Sequence, residues 1–562
     1  MNGSYAIGID FGTESGRALL LDLETGAESA VSEVRYPSEV IDRALPETGE
    51  QLPHDWALQD PDDWVTVVER AVPAVLAEAG VPGEAVVGLG VDFTACTPLP
   101  VTADGAPLCT LPEWRPRPHA WPKLWKHHSA QPIADRLNEV ARERGEEFLA
   151  RYGGKLSSEW YFPKLIELWL EDREVYEAAH GFIEGTDWIV WHLTGKERRN
   201  ACTAGYKACW SEAEGLPSRD FFEAAYPGFP PPEEKLGTTF HQLGEAAGQL
   251  RPEVAQRLGL SETTAVAIGN VDSFVSVPGA GIDSPGTFVM VVGTSICDML
   301  IDPEENRMTG ITGVVRDGIL PGFYGYEAGQ VAVGDMLAWF VEEIGLGDEP
   351  AAGDPYEAME EQAAALRPGQ SGLVALDWWN GNRTILADAD LTGVIAGMTL
   401  QTTRQQIYRS LLESIAFGNR RIMDNFTDHG MTIDEVVACG GIAEKSPLTM
   451  QILADTSGRT VHVPASTQIP ARGAALFGAV AAGAFPSIEA AIAATRPEIA
   501  DSYEPNPAAS AVYEEVYGIY RRLHDTLGET QVEILHELKR IHAGAAAGQT
   551  AGVAADSNPG DG

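Results

Sequence analysis

The first side chains that could do chemistry lie in a glycine-rich turn near the N-terminus, in the run DFGTESGR that begins at Asp10. Gly12 and Gly16 allow the backbone to approach a ligand closely. Successive amides, together with the Thr13 and Ser15 hydroxyls, could surround a phosphate group, and Asp10 could hold a metal ion through water. The run is neither a Walker A loop nor the dinucleotide-binding fingerprint. Taken alone, such a turn is more often only a tight connection between strands.

A similar turn, Gly293-Thr294-Ser295, follows the apolar run GTFVMVVG in the second half of the chain. Because it recurs between two apolar runs, as the first turn does, phosphate binding by both turns is favoured. A third glycine-rich junction, Gly440-Gly441, separates an apolar strand from a helix that begins near Leu448. Two glycines there would allow a flat ring to lie against the backbone. In isolation, a tight strand-to-helix connection explains this junction equally well.

The elements that must position these turns are typical of an α/β protein. Apolar runs over Tyr5–Asp10 and Ala18–Asp22 predict two strands around the first turn, and helical spacing predicts a helix over Asp62–Ala79. The same strand–turn–strand layout restarts at Gly286, which predicts two related domains that face each other across a cleft. We expect an N-terminal domain over 1–262, a C-terminal domain over 263–542 and a disordered Ala/Gly-rich tail over 543–562.

Composition and charge exclude several classes of protein. The 562 residues include 82 acidic and 39 basic side chains, for a formal net charge of -43. Such a surface repels nucleic acid and anionic membranes, so neither is expected as a partner. The six cysteines form no C-x-x-C pair, which indicates free thiols rather than a disulfide scaffold or a zinc site. We see no signal-peptide pattern at the N-terminus and expect a cytoplasmic protein.

Four segments, taken together and in order, resemble the signatures of the FGGY carbohydrate kinases of the actin-like ATPase superfamily: IGIDFGTESGRALLLD, VMVVGTSICDM, ACGGIAEKSPLTMQILAD and PARGAALFGAVAAG. The resemblance implies two actin-like, ribonuclease H-like α/β domains around a central cleft, each with a mixed five-stranded sheet. It further implies that ATP is the co-substrate, held mainly by the second domain, and that a sugar is held mainly by the first. Because the chain is acidic, amide dipoles and Mg²⁺ would have to attract the anionic nucleotide.

The resemblance also implies roles for individual residues. Asp272, just after the predicted strand at 265–269, would be the general base that accepts the proton of the sugar hydroxyl. Asp10 and Asp272 would hold Mg²⁺, directly or through water. The residues that would contact ATP are Asp10, Gly12, Thr13, Ser15, Arg17, Gly293, Thr294, Gly440, Gly441 and Lys445.

Five further segments resemble the branch of this family that phosphorylates ribulose: VDFTACTPLP, PHAWPKLWKHH, GGKLSSEWYFPK, TAGYKACW and GYEAGQVAVGD. They imply a sugar site lined by Ala95, Lys207, Asp272 and Glu327. Without the resemblance, Lys207 would be interpreted as a solvated lysine and Glu327 as the N-terminal residue of a helix. The stretch Trp125-Lys126-His127-His128 replaces the Trp-x-Asp-x-Arg element of many relatives, and the roles of its two histidines are left open.

The activity implied by these resemblances is ATP-dependent phosphorylation of L-ribulose, with D-ribulose as a second substrate, to ribulose 5-phosphate in L-arabinose catabolism. One alternative is another kinase of the family, acting on xylulose, a pentitol or glycerol. A second alternative, from a different class, is an actin-like nucleotide switch without a sugar substrate. Free sugar and ATP are the expected small-molecule partners, and a homodimer is left open.

Overall fold

The computed structural model describes residues 4–345, 354–542 and 545. Its strands are β1 (Tyr5–Phe11), β2 (Ser15–Asp22), β3 (Glu28–Arg35), β4 (Val86–Phe93), β5 (Pro98–Val101), β6 (Gly181–Glu184), β7 (Arg199–Asn200), β8 (Phe240–His241), β9 (Ala246–Gln249), β10 (Ala265–Ala267), β11 (Asn270–Val271), β12 (Gly286–Val292), β13 (Ile296–Asp302), β14 (Gly313–Arg316), β15 (Tyr324–Gln330), β16 (Val374–Leu376), β17 (Val394–Ala396), β18 (Ile433–Cys439), β19 (Val461–Pro464) and β20 (Ile499–Tyr503).

The α-helices are α1 (Pro61–Ala79), α2 (Gln131–Arg144), α3 (Tyr161–Glu171), α4 (Arg173–Ala178), α5 (Gly185–Thr194), α6 (Ala201–Ala208), α7 (Arg219–Ala225), α8 (Glu233–Leu236), α9 (Pro252–Leu258), α10 (Asp272–Gly279), α11 (Gly334–Trp339), α12 (Pro355–Ala364), α13 (Arg404–Asp428), α14 (Gly441–Lys445), α15 (Pro447–Ser457), α16 (Ile469–Ala481), α17 (Ile488–Thr495) and α18 (Pro507–Asp525). No helix in the described ranges combines the length and the apolar character that crossing a bilayer would require.

Two large mixed sheets share one topology. The first has the order β3-β2-β1-β4-β10-β9, with β11 also paired to β4, and the second has the order β14-β15-β13-β12-β18-β19-β20. The five strands β3-β2-β1-β4-β10 correspond in order and direction to β15-β13-β12-β18-β19. The predicted pair of related α/β domains with five-stranded mixed cores is therefore confirmed, and short edge strands extend each sheet to seven.

Local sequence explains the first helix that covers the first sheet. The Asp60 carboxylate accepts a hydrogen bond from the backbone N–H of Asp62, Pro61 occupies the first turn, and the chain leaves the helix at Gly80 with φ 64°. These are standard start and stop signals. The apolar side, with Trp64 and Val67 among its fully buried residues, faces the first sheet. The helix predicted over 62–79 is confirmed.

Helix α16, late in the chain, returns to the first sheet and packs against β1 and β4. Its backbone lies so close that a Cβ added to Gly8 would stand 1.7 Å from the Ala471 carbonyl oxygen, and one added to Gly90 would stand 1.8 Å from that of Ala474. On its other side α16 packs against α10, where a Cβ on Gly473 would stand 1.9 Å from the Val275 carbonyl oxygen. The joint between the two halves thus requires glycine at each point of closest approach.

The domain boundary near residue 262 stays a prediction. Strands β10 and β11, over 265–271, pair with β4 in the first sheet, whereas the second sheet begins at Gly286. Sheet membership therefore favours a division between Val271 and Gly286. The tail predicted over 543–562 lies outside the described residues, apart from Ala545.

Candidate active site

Two aspartates lie side by side at the carboxyl ends of the central strands of the first sheet. Asp10 on β1 is opposite Asp92 on β4 in parallel register, and Asp92 is in turn opposite Asn270 on β11. Asp92 is fully buried, and neither of its carboxylate oxygens accepts a hydrogen bond from the described residues. Sequence analysis did not assign it a role. The sequence signal that could have identified Asp92 is the Asp-Phe pair that ends its apolar strand, as Asp10-Phe11 ends β1. In the structure the rings of Phe11 and Phe93 stack with their centroids 5.0 Å apart.

Asp272, the predicted base, begins α10 and faces the same carboxylates. Burial raises the pKa of Asp272 to about 7, and the charge of Asp10 adds to that effect, while the N–H of Ser273 donates to Asp272 Oδ1 at 2.7 Å and opposes it. Burial, with the charges of Asp10 and Asp272, also raises the pKa of Asp92 well above its ordinary value. Arg17 Nε lies 3.4 Å from Asp10 Oδ2, and Lys207 is a second cation, whose charge lowers the pKa of Asp272. This group of carboxylates is therefore short of positive charge.

A magnesium ion fits this shortage of charge. In the described part of the chain, no cluster of three or more His, Cys, Asp or Glu side chains forms a complete metal site. Mg²⁺ keeps several water ligands and commonly uses only one or two carboxylates together with substrate phosphates. Such a partly hydrated cation would neutralise negative charge in this group, in which the Asp92 carboxyl oxygens have no hydrogen-bond partner among the described residues.

The first glycine-rich turn is held in a closed conformation by its neighbours. The Gly12 N–H donates to the Ser15 carbonyl at 2.9 Å, and the Tyr36 hydroxyl donates to the Gly12 carbonyl at 2.9 Å. The Ser15 hydroxyl donates to Glu33 Oε1 at 2.7 Å, on the adjacent strand β3. Of the two hydroxyls predicted to bind phosphate, that of Ser15 is thus already engaged by a carboxylate.

Thr13, at the tip of this turn, has contacts that the sequence did not indicate. The Gln59 side-chain amide donates to the Thr13 carbonyl at 2.8 Å, and the Trp125 indole N–H donates to the Thr13 hydroxyl at 3.0 Å. Trp125 belongs to the stretch that departs from the family pattern, so this stretch does contact the phosphate turn. As an acceptor from the indole, the Thr13 hydroxyl keeps its own proton available for a ligand oxygen.

The second turn and the glycine junction lie together at the carboxyl ends of β12 and β18, which are parallel neighbours. The Gly293 N–H donates to the Ser295 carbonyl at 2.9 Å, and the Val333 N–H donates to the Thr294 carbonyl at 2.9 Å. Gly440 has φ 95°, and a Cβ there would stand 2.7 Å from the Val292 carbonyl oxygen. A Cβ on Gly441, in contrast, would meet nothing within 4 Å, so open space faces this backbone as a nucleotide base would require.

Arg17 and Lys445 complete the set predicted for ATP. Arg17 lies on β2 beside Asp10, whereas Lys445 is an exposed residue at the end of α14. The first turn follows β1, the second follows β12 and the glycine junction follows β18, so all three lie at carboxyl ends of strands in the two sheets. The structure therefore brings the predicted residues to corresponding edges of the two halves.

Lys207 and Glu327 form an ion pair between the two halves of the molecule, meaning the part of the chain before α10 and the part that begins with β12. Lys207, at the end of α6, and Glu327, within β15, are both buried, and Lys207 Nζ lies 2.9 and 3.1 Å from the two carboxylate oxygens. Burial alone would lower the pKa of Lys207, but the Glu327 carboxylate raises it above its ordinary value. The interpretations as a solvated lysine and a helix N-terminal glutamate are therefore excluded. Lys207 Nζ lies 5.9 Å from the centroid of the Phe274 ring, two residues after Asp272, so the predicted base lies near the predicted sugar ligands.

The loop that carries Ala95 is fixed by two buried charged side chains. Glu184 accepts from the Thr97 N–H at 3.0 Å and from the Cys96 thiol at 2.8 Å. Lys164 Nζ donates to the Cys96 carbonyl at 2.8 Å. Ala95 itself is half-buried and packs at the edge of the cluster that includes residues of α10 and α16. The sequence analysis named Ala95 as a predicted sugar ligand but did not name Glu184 or Lys164, the two residues that fix its loop.

Comparison with known proteins shows to which protein family the chain belongs. The model of the N-terminal domain of the FGGY family of carbohydrate kinases matches residues 5–279, and that of the C-terminal domain matches residues 288–482. This chain belongs to the FGGY family of carbohydrate kinases. Together the two matches span the first sheet, all of the second sheet except its edge strand β20 and the first residues of β12, and every residue predicted for the site. The chain is accordingly a sugar kinase that uses ATP.

Relatives of this FGGY kinase align along nearly its whole length. A ribulokinase of Anoxybacillus flavithermus is 49% identical over 549 residues, covering 96% of this chain and 97% of that protein. A ribulokinase of Mycolicibacterium smegmatis is 43% identical over 557 residues, covering 98% of each. The fold is that of a solved xylulose kinase from Rhodospirillum rubrum, with a TM-score of 0.77 and 24% identity over 95% of this chain and 100% of that one.

In this FGGY kinase the first histidine of the divergent stretch has a structural role. His127 is fully buried, its Nδ1 accepts from the Ala57 N–H at 3.3 Å, and its Nε2 lies 2.9 Å from Glu167 Oε2. Burial, aided by the charge of Lys123, lowers the pKa of His127 to about 3, so the ring is neutral. Lys123 Nζ contacts the same Glu167 oxygen at 2.8 Å. This buried group supports the loop that presents Trp125.

A pH dependence of stability arises at the start of α6, the helix that carries Lys207. Asp187 Oδ1 accepts from the N–H and side-chain amide of Asn200, whose own oxygen caps the helix at the Thr203 N–H. Burial raises the pKa of Asp187 to about 7. The folded kinase therefore binds more protons than the unfolded chain between about pH 4 and pH 7, and this residue lowers stability as the pH rises through that interval.

Asp187→Asn, which imitates the protonated carboxyl, should remove this dependence. We expect its thermal midpoint to exceed that of the parent protein by an amount that grows as the pH is raised from 5 to 8. The measurement is a thermal melt at each pH, with Asp501→Asn on the exposed strand β20 as the control. A difference that stays constant across the series would contradict the assignment.

Proposed function

We propose that this kinase transfers the γ-phosphoryl group of ATP to L-ribulose, and also to D-ribulose, giving ribulose 5-phosphate in L-arabinose catabolism. The observation that carries the proposal is the buried Lys207–Glu327 pair beside Asp272, a polar site with both donors and acceptors for a polyhydroxylated substrate. Relatives named ribulokinase, at 43–49% identity over nearly the full chain, support the choice of substrate.

The reaction requires one proton acceptor and firm positioning. The C5 hydroxyl oxygen of the sugar attacks the γ-phosphorus in line, the bond from that phosphorus to the ADP oxygen breaks, and Asp272 accepts the hydroxyl proton. Lys207 donates to sugar oxygens and Glu327 accepts from sugar hydroxyls. The amides of the Gly12 and Gly293 turns hold the phosphates.

Magnesium would be held by Asp10 and Asp272, partly through water, beside the buried carboxyl group of Asp92. When bound, Mg²⁺ neutralises charge on the phosphate oxygens. The chain's own residues orient the reactants and keep water out of the closed cleft, because water would otherwise compete with the sugar as the acceptor. A cytoplasmic location is part of the proposal and is supported by the six free thiols and the acidic surface.

The experiment that tests the proposal is an assay of ADP release with magnesium-ATP against a panel of sugars and polyols. We expect L-ribulose, followed by D-ribulose, to give kcat/KM values at least about tenfold above those of D-xylulose, ribitol, L-arabinitol and glycerol. A preference for xylulose, a pentitol or glycerol would retain the kinase chemistry and overturn the substrate assignment. ATP turnover that no sugar changes would favour an actin-like switch.

A further inference from the structure

A second ion pair joins the two halves close to the Lys207–Glu327 pair. Arg383 Nη2, from the second half of the chain, lies 3.4 Å from Glu159 Oε1, from the first half. Both side chains are about one-fifth exposed, which is more than Lys207 and Glu327, whose side chains are less than one-tenth exposed. Glu159 lies within the segment GGKLSSEWYFPK but was given no role there, Arg383 lies in none of the quoted segments, and neither residue has a role in the mechanism above.

Both partners are presented by anchored loops. The Thr384 hydroxyl accepts from the Gly329 N–H at 2.9 Å, which ties the Arg383 loop to β15, the strand that carries Glu327. Glu159 precedes α3, and its backbone N–H donates to the Ser157 hydroxyl at 3.2 Å. The same two loops meet again where Lys155 Nζ donates to the Ala387 carbonyl. The contact is therefore a built junction between the halves rather than an isolated encounter of long side chains.

Charge alternates across this junction. The first half contributes Glu159 and Lys207, and the second half contributes Arg383 and Glu327. Each half thus supplies one negatively charged and one positively charged side chain. The two ion pairs also influence each other electrostatically. Burial would raise the pKa of Glu159, but the charges of Arg383, His128 and Lys207 lower it. Burial would lower the pKa of Arg383, but the charges of Glu159 and Glu327 raise it. Separating the halves would break both ion pairs at once.

We propose that Glu159 and Arg383 are positioning residues, which hold the two halves at the separation at which Lys207 and Glu327 together bind the sugar. The inference rests on the proposed function, because it assumes that Lys207 and Glu327 are sugar ligands. Binding of the sugar would then depend on an ion pair that is not among the ligands proposed for the sugar or for the nucleotide. Loss of the pair raises the free-energy cost of closing the cleft, which weakens sugar binding more than it slows phosphoryl transfer once the cleft is closed.

The test is a double-mutant cycle on the full-length protein with Glu159→Gln, Arg383→Gln and the double variant. Each single variant should raise KM for the sugar about fivefold to tenfold, change kcat by less than about twofold, and leave KM for ATP near the parent value. Because both variants break the same pair, the double variant should be no worse than either single variant. Arg257→Gln, which breaks an Arg–Glu contact of 2.7 Å between α9 and α1, is the control and should leave all three constants unchanged.

The outcomes separate the alternatives. Effects that multiply in the double variant, or single variants with the kinetics of Arg257→Gln, would overturn the proposal. A fall in kcat at unchanged sugar KM would also overturn it. If a glutamine variant fails to fold, as judged by its thermal midpoint, Glu159→Asp and Arg383→Lys take its place in the same cycle. The assays use whichever sugar the parent protein phosphorylates best, so an error in the ribulose assignment would appear in the parent protein and not in the cycle.

Discussion

Asp272→Ala should lower kcat for sugar phosphorylation by about a thousandfold, within the range that loss of a positioned general base usually costs. The physical reason is that the sugar hydroxyl is a weak nucleophile and must lose its proton as its bond to phosphorus forms. Asp272 lies at the start of α10, and the charges of Asp10, Lys207 and Glu327 all affect its pKa.

Binding of ATP in the absence of magnesium should survive this change within about twofold, since the two turns and the Gly440 junction that would hold the nucleotide offer mainly backbone amides. The measurements are single-turnover phosphorylation and calorimetric titration with ATP. Asp283→Asn is the matched control, because Asp283 lies in the loop after α10 and pairs with Arg496 at 2.8 Å. Near-normal turnover by the Asp272 variant would show that another group is the base.

Gly90→Ala should be strongly destabilising although it adds a single methyl group. The new Cβ would stand 1.8 Å from the carbonyl oxygen of Ala474 and 2.6 Å from its carbon, and both atoms are backbone. Helix α16 cannot retreat, because its opposite side is in contact with α10 at Gly473. We expect a loss of about 3 kcal/mol and a thermal midpoint lower by about 5 °C or more.

The matched control is Gly518→Ala on the exposed side of α18, where a Cβ meets nothing within 4 Å. Alanine is the better helix former, so that variant should be neutral or slightly more stable. Thermal melts and the yield of folded protein distinguish the two variants. Equal stability of the two would mean that the sheet and α16 are able to move apart, contrary to the close packing seen here.

The sequence by itself determined the features that depend on local chemistry. The glycine-rich turns after Asp10 and Val292, the paired glycines at 440–441 and the helix over Asp62–Ala79 are all encoded in runs of a few residues. Their backbone conformations follow from glycine, proline and capping side chains, together with apolar periodicity. The order of these runs was sufficient to predict two related α/β domains that face each other across a cleft, whereas the nucleotide and sugar sites were inferred from the resemblance to a family.

Only the tertiary structure decided which charged residues meet. Lys207 and Glu327 are 120 residues apart in the chain, and Glu159 and Arg383 are 224 apart, yet each pair spans the two halves. Asp92 became part of the site only through parallel pairing of β4 with β1. A lone charged residue in a sequence is expected to face solvent, because burial is costly without a partner. The partner comes from a distant strand or loop, so its identity depends on the packing of the halves and not on any local pattern.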